Sequence, residues 1–309
     1  MLKIRQMLLI FICAIFVSTA AYAESNGIWR LDGWNLAKVS NFRITSKTTS
    51  ASAQLSEKGF SLLYDVLRKE SFADTEIYIV DLRQESHGFA NGMPVSWYKE
   101  HNQANAGKSA VEVEKDEAAR LNAIMHKIVE FKPLGKHDEA TLNKLTIRVD
   151  TVQTEHVLAE QTGFKYVRFA AADMMFPAPE VVDEFIKFYM QLPQKHHLHF
   201  HCHAGHGRTT IFLVFYDILT YPDLTLDEIV KRQYDLGGSN LLADEDNKAD
   251  DWYTQNRRDR AKKIRRFYEY VQEQRDNKFK LSWSDYLQSV DELESESETS
   301  KSDLQAEVQ

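Results

Sequence analysis

A segment near residue 200 constrains the fold of this 309-residue chain more than any other. It reads HFHCHAGHGRTT, residues 199–210, and it joins an apolar strand candidate at 197–201 to an apolar helix candidate at 208–219. A glycine-containing loop between a strand and a helix can turn successive backbone N–H groups inward as an anion nest. The N-terminus of the helix adds unpaired N–H donors and the positive end of its dipole. The segment therefore predicts an α/β fold with an anion-binding loop between strand and helix.

The residue types in this loop favour phosphate chemistry. Arg208 follows Cys202 by six positions, and its planar guanidinium can bind two phosphate oxygens at once. The field of the loop also favours thiolate over thiol at Cys202. We therefore predict that Cys202 is a nucleophile beneath a bound phosphoryl group and that Arg208 binds this group. The other predicted phosphate contacts are the remaining loop residues: His203, Ala204, Gly205, His206, Gly207 and Thr209.

The histidines of the same segment leave a metal site open as an alternative. Four of them alternate, so a strand would place them on one face, and a fifth follows: His197, His199, His201, His203 and His206. Such a set is compatible with a zinc hydrolase. The aspartate of a His-x-His-x-Asp-His zinc pattern is absent, because Ala204 and Gly205 stand where it should be. We therefore expect no metal at these histidines.

Phosphate-ester cleavage also needs an acid that protonates the leaving oxygen. Asp173 follows a strand candidate at 166–172 and lies in a predicted loop before Pro177. A side chain at the end of a strand that adjoins the Cys202 strand can reach the site. An aspartate in a loop can equally be a turn or capping residue, so Asp173 is the candidate general acid with that alternative open.

The rest of the chain alternates strand and helix candidates, which predicts a central, mainly parallel sheet flanked by helices. Residues 87–107 contain glycine and asparagine and are predicted to form a long loop. Residues 110–129 have apolar side chains at helical spacing and are predicted to form one long helix.

The two ends of the chain differ in composition from its middle. A basic start precedes an apolar run at 7–17 and an A-Y-A cleavage pattern, which predicts a signal peptide over residues 1–23. The run is about half as long as the roughly 20 apolar residues of a spanning helix, so no stable membrane insertion is expected. Residues 24–290 are predicted to form one phosphatase domain, and residues 291–309 an acidic, disordered tail.

The overall composition argues against other classes of protein. The 38 Lys and Arg residues against 46 Asp and Glu residues give a formal charge of −8. Nucleic-acid binding needs a basic footprint, so no nucleic-acid partner is expected. The two cysteines, Cys13 and Cys202, are too few for a disulfide framework or a multi-cysteine zinc module. The sequence does not determine the oligomeric state.

Several segments resemble the protein-tyrosine-phosphatase-like (PTP-like) inositol polyphosphatases, the bacterial cysteine phytases. HCHAGHGRTT, residues 201–210, is similar to the HCxxGxGRT(T/S) signature of that family. YIVDLRQESHGFANGMPVSWY, residues 78–98, resembles its Asp-Leu-Arg-Gln-Glu-Ser-His-Gly block and the residues that follow. FKYVRFAAADMMFPAPE, residues 164–180, resembles its general-acid loop. The resemblance runs from about residue 41 to residue 287.

The resemblance implies a PTP-like fold and a cysteinyl-phosphate mechanism that requires no metal or organic cofactor. Cys202 would attack phosphorus, and Arg208 would bind the equatorial oxygens. Asp173 would protonate the leaving alcohol and then activate water, while Thr209 would donate to the Cys202 sulfur. The resemblance also assigns three substrate contacts outside the loop: Asp81 at the pocket wall, and Arg43 and Lys127 toward remote phosphates of an inositol ring.

Two departures from the family pattern reduce the expected affinity for inositol hexakisphosphate. Met174 stands where the family has a histidine, and the acidic segment 239–247 stands where a basic one is expected. His203 and His206 would add positive charge when protonated, which predicts tighter polyphosphate binding at mildly acidic pH.

The leading interpretation is an exported, periplasmic or secreted enzyme whose phosphorylated small-molecule substrate is an inositol polyphosphate. A protein-tyrosine or phosphoinositide phosphatase with the same mechanism is the alternative, and a His-ligated zinc hydrolase is less favoured. The acidic tail leaves delivery into a host cell open as a second destination.

Overall fold

The structure is a computed structural model that describes residues 27–33, 39–70, 74–133, 144–243 and 246–290. The predicted signal peptide and acidic tail lie outside these residues. The strands in these ranges are β1 (Ile28–Leu31), β2 (Arg43–Ile44), β3 (Thr49–Ser52), β4 (Glu76–Asp81), β5 (His87–Ala90), β6 (Met93–Tyr98), β7 (Ile128–Pro133), β8 (Leu145–Arg148), β9 (Val152–Gln153), β10 (Lys165–Arg168) and β11 (His196–His201). The helices are α1 (Glu57–Glu70), α2 (Ala110–Ile124), α3 (Glu155–Thr162), α4 (Pro179–Met190), α5 (Gly207–Thr220), α6 (Leu226–Asp235), α7 (Trp252–Gln274) and α8 (283–290).

The sheet that carries the site is mainly parallel, as predicted. Its strand order is β10-β4-β11-β3-β2, and only the edge strand β2 is antiparallel to its neighbour. In the register of this sheet, His201 at the end of β11 lies opposite Asp81 of β4 and Ser52 of β3. Parallel strands end at one edge, so the loops after these strands meet there. The predicted anion-binding loop begins at this edge.

A second, six-stranded sheet was not predicted. Its order is β8-β7-β1-β6-β5-β9, and its pairings are antiparallel except for β1 with β7. The segment predicted as a long loop at 87–107 supplies β5 and β6, so that prediction was wrong. Gly88 in β5 marks a close approach of two chain segments rather than a loop, since a Cβ there would lie 2.6 Å from the carbonyl oxygen of Gln153.

The helix predicted over 110–129 is shorter than its apolar spacing indicates. A capping box between Ser109 and Glu112 begins α2. The helix ends at Ile124, and His126 has a φ of 63°, which is incompatible with its continuation. Ile128 continues the helical spacing but belongs to β7, where its side chain is 75% exposed. The periodicity was misleading because this apolar residue does not face the core.

Helix α5 lies at the centre of the core that positions the site. Its residues from Arg208 to Leu219 are all buried, which fits a helix that is apolar on nearly every side. Phe215 of α5 packs on Phe267 of α7 at 4.3 Å between ring centroids, and on Phe176 at 5.5 Å. Burial on all sides fixes the direction of α5 and therefore the loop before it. In the part of the chain that is described, no helix combines the length and apolar character that crossing a bilayer requires.

Candidate active site

The phosphate loop, residues 202–207, folds tightly over the end of β3. Gly205 has a φ of 72°, and a Cβ at this position would lie 2.5 Å from the carbonyl oxygen of Ser52, so glycine is required. Arg43 Nη2 and Asn41 Nδ2 donate to the carbonyl oxygen of Gly205 at 2.8 Å and 2.9 Å. Among the described residues, the N–H groups of residues 203–206 have no backbone acceptor. They therefore remain for an anion.

Cys202 lies at the base of this loop, directly after β11. Its side chain is 3% exposed, and its thiol forms no disulfide. The first turn of α5 begins at Gly207 and directs its N-terminus into the loop. The hydroxyl of Thr209 is buried and has no hydrogen-bond partner among the described residues. The expected bond from Thr209 to the Cys202 sulfur is therefore not formed in this conformation.

Arg208 is held by Glu85 in a buried, bidentate pair. Nη1 donates to Oε2 at 2.7 Å, and Nη2 donates to Oε1 at 3.2 Å. Burial opposes the charge of Arg208, but the carboxylates of Asp173 and Glu85 outweigh it and raise the pKa of Arg208 well above its ordinary value. Burial likewise opposes the charge of Glu85, but Arg208 and Arg83 hold its pKa well below the ordinary value. Both groups therefore stay charged, and the guanidinium is oriented before a ligand arrives.

The structure brings Asp173 to the phosphate loop, where the sequence predicts an acid. Oδ2 of Asp173 lies 3.2 Å from Arg208 Nη2 and accepts a hydrogen bond from Asn102 Nδ2 at 2.9 Å. Oδ1 accepts from the N–H of Met174 at 3.0 Å, and Met174 has a φ of 65°. The Asp173 side chain is 28% exposed, so it can meet both a bound ligand and solvent.

Arg208 and Glu85 belong to a longer row of alternating charges. Arg83 Nε donates to Glu85 Oε1 at 2.8 Å, and Arg83 Nη1 donates to Asp32 Oδ2 at 2.8 Å. Arg30 Nε donates to Asp32 Oδ1 at 2.7 Å. Asp32 and Glu85 thus each lie between two guanidinium groups. This alternation compensates charges that would be costly if they were buried alone.

His203 and His206 belong to the phosphate loop but are disfavoured as cations. His203 Nε2 lies 3.4 Å from Asp32 Oδ1. Burial and the charge of Arg30 nevertheless lower the pKa of His203. Burial and the charge of Arg43 lower the pKa of His206. Without an anion nearby, both imidazoles take up protons less readily than a free one, and tighter polyphosphate binding at mildly acidic pH stays a prediction.

Asp81 does not line the pocket wall, so that prediction was wrong. Its side chain is fully buried at the end of β4. Oδ2 accepts hydrogen bonds from the Tyr166 hydroxyl at 2.7 Å and from Arg168 Nε, and Oδ1 accepts from the N–H of Arg83 at 2.9 Å. These donors occupy both oxygens. Asp81 therefore stabilises the sheet edge beneath the phosphate loop rather than a substrate.

The structure does not test the two contacts predicted for remote phosphates, which stay predictions, but it gives the surroundings of both residues. Arg43 is 8% exposed, and its terminal nitrogens donate to Asn41 and Gly205 carbonyl oxygens, so it supports the loop backbone. Lys127 lies exposed in the turn before β7. The opposite end of β7, at Pro133, pairs with Leu31 next to the site. That end is about 20 Å from Lys127, at about 3.3 Å per strand residue.

The alternating histidines of β11 contact protein groups. Ser50 Oγ lies 2.8 Å from His197 Nε2 and 2.9 Å from His199 Nδ1. Nε2 of His201 lies 2.6 Å from Glu155 Oε1, although the angle is not that of a hydrogen bond. His197 and His199 therefore share Ser50 as a partner, whereas His201 lies against a carboxylate.

One group of side chains could hold a metal by distance alone. The candidate ligand atoms of Asp81, Glu155 and His201 lie within 4.8 Å of one another in the described part of the chain, and all three residues are buried. Arg168 forms an ion pair with Asp81 in this group. Its positive charge disfavours a metal cation at that position.

Glu85 and Asn102 are site residues that the sequence interpretation missed. Arg83 and Glu85 stand in the DLRQESHG block, where two charged residues directly after a buried strand were a usable signal. Asn102 offered no such signal. It lies in the segment assigned as a loop and meets Asp173 across 71 positions of the chain.

Comparisons with known proteins agree with this geometry. Residues 80–220 match the family model for PTP-like phytases, whose description is 'inositol hexakisphosphate'. A solved structure from Mitsuokella multacida is described as a PTP-like myo-inositol phosphatase in complex with myo-inositol-(1,3,4,5)-tetrakisphosphate. It is 36% identical with a TM-score of 0.78, over 85% of this chain and 49% of that one. A PTP-like phytase from Bdellovibrio bacteriovorus is 29% identical with a TM-score of 0.70, and the match covers 85% of this chain and 95% of that one.

The curated relatives include the effector protein hopD2 of Pseudomonas syringae pv. tomato. It is 28% identical over 176 residues, which are 53% of this chain and 37% of that protein. The chain therefore spans less than half of this effector and about half of the Mitsuokella chain. The mainly parallel sheet and its strand–loop–helix connection have the fold of the PTP-like phytases. Within this class, residues 80–220 match the PTP-like phytase family model, and the chain is similar to solved PTP-like phytases over 85% of its length.

Proposed function

We propose that this protein is a cysteine-dependent phosphomonoesterase that hydrolyses inositol polyphosphates through a cysteinyl-phosphate intermediate. The observation that carries the proposal is the 3.2 Å separation between Arg208 Nη2 and Asp173 Oδ2. At this separation the Asp173 carboxyl group lies beside the guanidinium that we propose binds phosphate, and Cys202 lies at the base of the same loop. The candidate nucleophile, the candidate anion-binding residue and the candidate acid therefore lie at one edge of the sheet, which supports the proposal.

In the first step, the Cys202 thiolate attacks phosphorus, the S–P bond forms, and the P–O bond to the leaving group breaks. The electron pair of that bond passes to the leaving oxygen, which takes a proton from the Asp173 carboxyl group. Arg208 and the N–H groups of the phosphate loop bind the non-bridging oxygens and stabilise their charge in the transition state.

In the second step, a water molecule attacks the phosphorus of the cysteinyl-phosphate. Asp173, now a carboxylate, accepts a proton from that water and returns to its acid form. The S–P bond breaks, its electron pair regenerates the Cys202 thiolate, and inorganic phosphate leaves. Asp173 thus supplies one proton in the first step and recovers one in the second.

The family and the ligand of the Mitsuokella structure support an inositol polyphosphate as the substrate. An aryl phosphate such as phosphotyrosine is the second candidate because of an aromatic pair near the acid. The ring of His101 stacks on Trp252 with 3.9 Å between centroids, and His101 directly precedes Asn102, which binds Asp173. Stacked aromatic side chains favour contact with a flat leaving group.

A substrate panel tests this proposal. Initial rates are measured on inositol hexakisphosphate, a phosphotyrosine peptide and a phosphoinositide, each with and without a chelator at fixed ionic strength. We expect the highest kcat/KM on the inositol polyphosphate, no effect of the chelator, and no turnover by Cys202→Ser. A preference for the phosphotyrosine peptide would replace the substrate assignment, and inhibition by the chelator would favour the zinc-hydrolase alternative.

We also propose that the protein acts outside the cytoplasm, with residues 24–290 as the catalytic domain and 291–309 as a tail. The signal-peptide pattern over residues 1–23 supports export. The description of one relative as an effector supports delivery into a host cell as the alternative. Fractionation of producing cells and N-terminal sequencing test the proposal. We expect a mature protein that begins at Glu24, whereas retention in the cytoplasm with Met1 intact would contradict export.

A further inference from the structure

Asn102 joins the Arg208–Glu85 pair to the candidate acid. Its Nδ2 group donates one hydrogen to Glu85 Oε1 at 2.8 Å and the other to Asp173 Oδ2 at 2.9 Å. Both acceptors are carboxylates, so the amide must present its NH₂ side to them. Asn102 is 4% exposed, which leaves little access for water to replace either bond.

The backbone at Asn102 adopts a conformation that needs support from its surroundings. His101 and Asn102 have φ angles of 54° and 60°, two successive residues in the left-handed region. Such residues persist where the surrounding structure enforces them, and they cluster at functional sites. The ring of His101 stacks on Trp252 of α7, and Gln103 Nε2 donates to Met175 Sδ at 3.2 Å. Contacts on both sides of Asn102 thus hold the segment against α7 and the acid loop.

The negative charges around Asp173 explain why a neutral hydrogen-bond donor suits the position of Asn102. Asp173 Oδ2 contacts both Arg208 Nη2 and Asn102 Nδ2. A phosphate dianion in the loop takes Nη2 of Arg208 and adds negative charge beside Asp173. Glu85 already supplies negative charge on the other side. The Asn102 amide can keep its bond to Asp173 when the Arg208 contact is lost.

We propose that Asn102 is a positioning residue that holds Asp173 toward the leaving oxygen of a phosphate bound to Arg208. This inference rests on the proposed function, in which Asp173 protonates the leaving group. Asn102 acts through Asp173, so its removal should affect the proton transfer more than the attack of Cys202 on phosphorus.

A comparison of leaving groups tests the inference. Alkyl phosphates such as inositol hexakisphosphate need a proton on the departing oxygen, whereas p-nitrophenolate departs with little help. Asn102→Ala should lower kcat/KM about 10- to 100-fold on inositol hexakisphosphate and less than about threefold on p-nitrophenyl phosphate. An equal loss on both substrates would show that Asn102 acts through Glu85 and Arg208, and would overturn the inference.

Two further variants distinguish the effect of the Asn102 amide from the effects of its backbone conformation and of the surrounding segment. Asn102→Gly removes the amide while keeping the left-handed conformation favourable. It should show the same selective loss, and a wild-type substrate ratio in this variant would attribute the alanine effect to strain instead.

Asn105→Ala is the matched control. Asn105 is 1% exposed, and its Nδ2 donates to Ser86 Oγ at 2.8 Å and to the Gln84 carbonyl oxygen at 3.2 Å. Its replacement should leave the substrate ratio unchanged within about twofold.

Asp173→Asn distinguishes failure of this inference from failure of the proposed function. If Asp173→Asn slows only the alkyl phosphate, Asp173 is the acid, and adding Asn102→Ala should then change kcat/KM less than about twofold. A full, additive loss in the double variant would overturn the positioning role while leaving Asp173 as the acid. If Asp173→Asn slows both substrates equally, the acid assignment is wrong and the inference fails with it.

Discussion

Nη1 of Arg208 lies 2.7 Å from Oε2 of Glu85, and both side chains are excluded from solvent. These residues are separated by 123 positions in the chain. Because Glu85 orients the guanidinium in advance, Arg208 needs little reorganisation when a phosphate binds. Preorganised charge of this kind is usually the largest single contribution to transition-state stabilisation.

Glu85→Gln should impair both stability and catalysis. Loss of this carboxylate leaves the charges of Arg208 and Arg83 partly uncompensated in a buried site, so we expect a destabilisation of about 3 kcal/mol in urea unfolding. In the proposed mechanism Arg208 binds the phosphoryl group of every substrate, so kcat/KM should fall by a similar factor, about 100-fold, on inositol hexakisphosphate and p-nitrophenyl phosphate. A loss confined to the alkyl substrate would instead assign Glu85 to the proton transfer.

Cys202→Ser should abolish turnover while leaving ligand binding largely intact. The serine hydroxyl is a much weaker nucleophile than a thiolate, but the loop N–H groups and Arg208 that bind phosphate are unchanged. Calorimetry should give a Kd for inositol hexakisphosphate within about threefold of that of the wild-type protein. Acid quenching of the wild-type enzyme during turnover should trap phosphate on Cys202. Residual turnover in the serine variant would show that the nucleophile is misassigned.

Gly205→Ala should be far more damaging than alanine at another glycine with positive φ. A Cβ at Gly205 would lie 2.5 Å from the carbonyl oxygen of Ser52. Gly107 is the matched control, with a φ of 79° and no described atom within 4 Å of its Cβ position. Gly107→Ala should cost about 1–2 kcal/mol from backbone conformation alone. We expect Gly205→Ala to exceed this by at least about 2 kcal/mol in urea unfolding and to weaken inorganic phosphate binding. Equal costs at the two positions would contradict the close packing of the loop.

Stability should fall as the pH falls from about 6.5 to 4. Burial lowers the pKa of His197 to about 4, and burial with the charges of His201 and His197 holds the pKa of His199 well below its ordinary value. In this window the two histidines bind protons in the unfolded chain but not in the folded chain. Their contribution to stability is therefore fully present above their unfolded-state pKa and is lost as the pH falls toward their folded-state pKa. For His197 the loss amounts to at most about 3 kcal/mol. The pKa of Glu85 is lowered in the folded protein, so its contribution to stability is present above the ordinary pKa of 4.5 and is lost only as the pH falls below that value.

Urea unfolding at about pH 7, 5.5 and 4.5 checks this dependence. His197→Gln should show a smaller decrease in unfolding free energy across the series than the wild-type protein. Its absolute stability at pH 7 is a separate quantity, because the variant also changes the contact with Ser50. Parallel pH dependences for the two proteins would contradict the assignment to His197.

Local sequence was sufficient where one segment contains the whole structural signal. The predicted helix at 208–219 corresponds to α5, Gly207–Thr220, and the predicted strand at 197–201 corresponds to β11, His196–His201. A helix that is apolar on all sides and a short apolar strand are recognisable without their partners. The second sheet was not recognisable in this way, since β5 is short, contains Gly88, and is buried by pairing with β6 and β9 and by helices α2 and α3.

The sequence by itself was sufficient to predict an anion-binding loop at Cys202, Arg208 and the glycines between them, because those residues lie within seven consecutive positions. It also made Asp173 a candidate acid, because that residue follows a strand beside the loop. Only the tertiary structure decided that Glu85 holds Arg208, that Asn102 contacts Asp173, and that Asp81 is buried beneath the loop. The physical reason is that burial, strand register and ion pairing depend on segments far apart in the chain, whereas loop and helix chemistry depend on neighbouring residues.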